Sequence, residues 1–171
     1  MHDSDTARLR AFAHPLRLRI LSLLTGTSMS AAELARELGD TQANVSYHLR
    51  MLRQAGLVEV MEEVSVRGGK AKRYGHDPSS GANMPMTIGE EQVLMAAALS
   101  TELRRRADSF KPGSKNAVVD ADLWVTPELW SEIRTAALEL ARRLHAGAMP
   151  PHASGTIRTS TTMALFEMNE Q

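Results

Sequence analysis

The 171-residue sequence predicts an α+β fold in two unequal parts, and three observations carry that reading. Apolar residues recur at helical spacing in three consecutive short segments before residue 56, each closed by a glycine. Two strand-like runs on either side of Gly68-Gly69 then read as a hairpin over residues 57–76. Beyond a stretch rich in Pro, Gly and Ser, a helix-strand-helix-strand order fills the remainder. The implied boundaries are an N-terminal domain at 1–78, a linker at 79–88 and a smaller C-terminal domain at 89–171.

The first segment, AHPLRLRILSLLTG, places Leu16, Ile20, Leu23 and Leu24 on one helical face, with Pro15 suited to the first turn and Gly26 to the stop. In SMSAAELARELGD, Ser30 and Glu33 form an S-x-x-E capping box and Gly39 ends a short helix. Thr41 then caps a third helix, residues 41–55. Its Val45, Leu49 and Leu52 make an i, i+4, i+7 stripe, and Gly56 with Leu57 suits a Schellman stop.

At about 100° per residue, the side opposite that stripe carries Ala43, Tyr47, Arg50 and Gln54, flanked by Asn44 and Ser46. No acidic residue occurs from Thr41 to Val58, and the hairpin tip that follows holds Arg67, Lys70, Lys72 and Arg73 without a negative charge. Overall charge is balanced, 20 Lys+Arg against 20 Asp+Glu, which excludes a generally basic, histone-like coat for nucleic acid. Two short helices at a tight turn followed by a basic hairpin describe a winged helix-turn-helix, whose second helix enters the major groove while the wing lies on the backbone or minor groove. The expected DNA-contacting set is Thr41, Gln42, Ala43, Asn44, Ser46, Tyr47 and Arg50 from helix 41–55, with Arg67, Lys70, Lys72 and Arg73 from the 65–74 wing. The plainer alternative makes these residues an ordinary solvated helix face and a charged turn that protects a sheet edge.

HPLRLRIL, then ELARELGDTQANVSYHLRMLRQAGLV, then the basic hairpin resembles the ArsR-type winged helix-turn-helix transcriptional regulators, over roughly Ala11 to His76. The resemblance implies a homodimer that reads a palindromic operator in double-stranded DNA. The Cys-x-Cys pair of the metal-sensing members falls here on Ser30 and Ala32, and the sequence contains no cysteine, so a non-metal-sensing member is expected, without cofactor.

In the C-terminal part, Thr87 and Glu90 suggest a second capping box before a helix that ends in Arg104 to Arg106, as the helix dipole favours. NAVVDADLWV, residues 116–125, alternates as a strand does; Thr126, Pro127 and Gly147 bracket a helix over 127–146; GTIRTSTTMALFEM, residues 155–168, is a Thr-rich strand candidate. Trp124, Trp130, Ile133, Ala137, Leu140 and Leu144 are candidates for a dimer face or an effector pocket for a small molecule, with core packing as the plainer reading.

Catalysis is not expected, since no G-x-G-x-x-G, H-E-x-x-H or G-x-S-x-G occurs. The longest wholly apolar run, Val93 to Leu99, is too short to span a bilayer, and MHDSDTAR lacks the positive start of a signal peptide; a soluble cytoplasmic protein is expected. The function expected is a sequence-specific transcriptional regulator, a homodimeric repressor. The alternative keeps the fold as a protein-protein interaction module without DNA binding.

Overall fold

The computed structural model describes residues 2–66, 69–77 and 90–169. Helices α1 (His2–Phe12), α2 (Pro15–Leu24), α3 (Ala31–Leu38) and α4 (Gln42–Gln54) are followed by strands β2 (Glu59–Val66) and β3 (Gly69–Gly75), with the short strand β1 (Met29–Ser30) just before α3. The three strands form one antiparallel sheet in the order β1-β3-β2. Helices α5 (Glu90–Ala107) and α6 (Pro127–Ala146) complete the list. The 79–88 linker, Thr87 of the second capping box and Arg67 lie outside the described residues.

The predicted apolar stripes become one core. Ile20, Leu34, Val45, Leu49 and Leu52 are wholly buried together, and Leu16, Leu38, Leu57 and Val58 close over them. The caps form as the residue types require. Ser30 Oγ accepts from Glu33 N–H while the Glu33 carboxylate accepts from Ser30 N–H at 2.7 Å, completing a reciprocal box. Gly56 adopts φ +66°, and Leu57 N–H donates to the Leu52 carbonyl at 2.9 Å, a Schellman closure that drives Leu57 into the core.

Two arginines on α2 work inside the fold. Arg17 donates from Nε to the Ala11 carbonyl and from its terminal nitrogen to Arg10, satisfying carbonyls left open at the end of α1. Arg19 does the same for Leu38 at the end of α3. Helix α5 packs across α1 and α2, with Arg10 and Glu91 paired at 3.0 Å. Glu102 of α5 is buried, and Arg105 and Arg106 neutralise it at 2.8 and 3.6 Å, so two of the three arginines ending this helix serve its own carboxylate.

The second half departs from expectation. Among the described residues, none after Glu102 is buried. Helix α6 forms as predicted, capped by the Thr126 hydroxyl, yet all of its apolar face remains at least partly exposed. The strands expected at 116–125 and 155–168 do not form in the single chain. Their alternation is genuine, but a strand exists only through a ladder partner, and neither segment has one among the described residues. Among the described residues, the segment after α6 lies against the N-terminal part of the chain. His152 Nε2 lies 3.3 Å from Glu37, and Ala148 sits so close to Gly26 that a Cβ at residue 26 would stand 2.6 Å from the Ala148 carbonyl oxygen. Gly26 is also held at φ +80°, which a side chain resists, so glycine meets both needs there.

Candidate nucleic-acid interface

Helix α4 is seated by one face and free on the other. Val45, Leu49 and Leu52 are fully buried, whereas Gln42, Ala43, Asn44, Tyr47 and Arg50 point outward; Tyr47 keeps 49% of its surface and Ser46 is partly covered. Among the described residues, Gln42, Ala43, Asn44, Tyr47 and Arg50 on this outer side remain exposed. The N-terminus of α4 is fixed in detail: Thr41 Oγ1 accepts from Asn44 N–H at 3.2 Å, and Asp40 accepts from Thr41 N–H and from the Asn44 side-chain amide. Asn44 therefore presents a tethered amide whose carbonyl oxygen is left outward as an acceptor.

The wing divides its charges. Lys70, near the turn, is exposed and makes no ion pair among the described residues. Lys72 is exposed beside Glu63 at 3.8 Å, an arrangement weakly held in water. Arg73 turns inward. Its guanidinium grips both Glu33 oxygens at 2.8 and 2.9 Å, lies 3.3 Å from Glu62, and donates to the Ser28 carbonyl, tying β3 to α3 and to the turn before it. Ser30 N–H, followed by Arg73, holds the Glu33 carboxyl down to about 2, so this carboxylate stays charged in any ordinary buffer. Of the expected contacts, Thr41 at the cap and Gln42, Ala43, Asn44, Tyr47 and Arg50 along α4 are exposed, Ser46 is partly covered, Lys70 and Lys72 are outward on the wing, and Arg73 is committed within the fold.

Behind the outer face lies a pair the sequence did not announce. The rings of His14 and His48 are 4.6 Å apart, His48 is buried, and its Nδ1 has no hydrogen-bond partner among the described residues. His14 caps α2 by accepting Leu16 N–H at Nδ1, which requires a neutral ring. Burial holds both histidines below their ordinary pKa, reinforced by Arg17 and, for His48, by His14, with Asp40 opposing. His76, whose Nδ1 meets the Leu57 carbonyl at 2.7 Å, is also lowered, again by burial. A histidine lowered in the folded state binds fewer protons there than in the unfolded chain. Its stabilising contribution is complete above about pH 6.5 and drains away as pH falls toward the lowered value. The melting temperature is therefore expected to drop between about pH 7.5 and pH 5.5. His14→Asn, which keeps a cap acceptor but takes up no proton, flattens that dependence; parallel profiles for the two proteins would refute the assignment.

A helix-turn-helix domain family profile matches residues 12–60, the span of α2, α3 and α4. The chain is 40% identical over 98 residues to the HTH-type transcriptional regulator CmtR of Mycobacterium tuberculosis, an alignment that takes in 56% of this chain and 76% of CmtR. The chain belongs to the ArsR-type winged helix-turn-helix transcriptional regulators. A shorter match, 43% over 58 residues, links it to the regulator YgaV of Escherichia coli, covering 33% of this chain and 59% of YgaV. Among solved structures, PadR of Bacillus subtilis in complex with operator DNA aligns over 80% of this chain and 94% of that one, at 16% identity and a TM-score of 0.33. The regulator is thus a DNA-binding protein of the transcriptional class and not an enzyme. No helix among its described residues is long and apolar enough to cross a membrane.

Proposed function

We propose that this regulator is a homodimeric repressor, without a metal cofactor, that reads a palindromic operator with the outer face of α4. One observation carries the reading: α4 is anchored by three fully buried residues while Tyr47 and Arg50, directly opposite, are uncovered. A rigidly seated helix with a free polar and basic face can enter the major groove with its side chains already placed. Arg50 suits guanine, and Gln42 or Asn44 suits adenine. Thr41, Ala43 and Ser46 lie where the backbone and thymine methyls would pass. Lys70 and Lys72, with Arg67 beside them in sequence, meet phosphate. Arg73 holds the wing at the angle from which they reach it. Two such helices, one from each copy, would occupy major grooves about 34 Å apart. Repression then follows from occlusion of the promoter, and a small-molecule effector would act through the C-terminal half.

The test is binding to an operator selected from random-sequence duplexes, measured across a salt series. The logarithm of affinity falls linearly with the logarithm of salt, and Lys70→Ala with Lys72→Ala lowers affinity for specific and random DNA alike while reducing the slope by roughly 2. Recovery of no enriched sequence, together with a wild-type slope near zero, would refute the reading.

A further inference from the structure

Residues 115–125 and 157–168 share three properties that a finished fold does not leave together. Both carry strand-like sequences, VVDADLWV and IRTSTTMALFEM. Neither makes a backbone–backbone hydrogen bond among the described residues. Both hold their large apolar side chains in water: Val119 is 91% exposed, Trp124 86% and Ile157 84%. Helix α6, which joins them, leaves Leu129, Ile133, Leu140 and Leu144 between 40 and 48% exposed. Taking roughly 150–250 Å² for a fully exposed large side chain, the C-terminal half shows on the order of 1,500 Å² of apolar surface per chain. A stable interface covers about 800 Å² per partner, so about half of this summed area would supply one.

We propose that residues 117–125 of one chain pair as an antiparallel strand with residues 156–166 of a second copy, so that two chains close a four-stranded sheet covered by their α6 helices. The exposed area fits an extensive dimer interface and exceeds what a small ligand buries. The strand count fits too. One chain offers two strands, a marginal sheet, whereas a twofold pair forms the exchanged contact twice and, with the two 156–166 strands adjacent across the axis, yields four. Charge selects the pairing. Asp120 and Asp122 lie on one alternate face of the first segment, and Arg158 is the single charged residue of the second between 156 and 166. Acid meets base when the two segments pair with each other, and acid meets acid when the first pairs with its own copy. Arg106 holds the second segment beside the end of α5, 3.5 Å from Thr162, so the strands are presented next to the helix that joins the two halves.

This inference rests on the dimeric reading above, and the test separates the two. The natural absence of cysteine makes the chain ready for site-directed cross-linking. Asp122→Cys and Arg158→Cys are placed on separate, differently tagged full-length chains, co-expressed, and treated with a thiol cross-linker of about 8 Å reach, which tolerates a two-residue offset in register. The mass of the wild-type protein in solution is measured in parallel by light scattering. A dimer mass with most of the product joining the two differently tagged chains supports the exchange. A dimer mass without that product overturns the strand pairing and leaves the dimer standing. A monomer mass, or a doubly substituted chain that cross-links only to itself, overturns the exchange, and the monomer mass overturns the dimeric reading as well.

Discussion

Leu49→Ala is expected to lower the unfolding free energy by about 2–5 kcal/mol. Leu49 is completely buried and is the central residue of the stripe that seats the helix between Val45 and Leu52. Truncation removes its transfer free energy and leaves a void that α2 and α3, both pinned by caps at each end, are poorly placed to fill. The loss reads directly in urea unfolding as a lower midpoint with an unchanged slope. Since the same residue orients the outer face, operator binding is lost at the temperature where the variant melts, well below that of the wild type. A loss under about 1 kcal/mol would mean that the core closes without this side chain, and that the seating argument is wrong.

Arg50→Ala is expected to cost about 1–3 kcal/mol of operator affinity, roughly tenfold or more, while random-sequence binding changes little. Arg50 is exposed on α4, on the side away from Leu52, and is held in no ion pair among the described residues, so its guanidinium is available for a base edge. Arg50→Lys is no rescue, because the ammonium lacks the planar fork that matches guanine. Competition between the selected operator and random DNA measures the difference. Equal losses on both would reassign Arg50 to phosphate.

Much of the first domain was legible because its signals are local. Ser30 and Glu33, Thr41, Gly39 and Gly56 each fix a helix end within four residues of themselves, and Val45, Leu49 and Leu52 declare their face by spacing alone. The features that escaped depend on residues distant in sequence. The Glu33 partner of Arg73 lies 40 positions away, so a run of four positive charges looks uniform in sequence when one of them is bound within the fold. His14 and His48 meet at the start of α2 and within α4 with nothing in either segment to signal it. The alternation in 116–125 and 155–168 was legible as a pattern, but pattern states which face is apolar and not which chain supplies the other strand.

The Arg73 clamp has a consequence for the duplex. With β3 fastened through one guanidinium to Glu33 on α3 and to Ser28 ahead of it, the base of the wing is tied directly to the helix pair. Such a reader has little freedom to follow local variation in groove width. Under the proposed reading of a palindromic operator, the accommodation falls to the nucleic acid, and steps that kink or unstack readily, TA and CA/TG among them, are the expected preference at positions between the half-sites that no side chain touches.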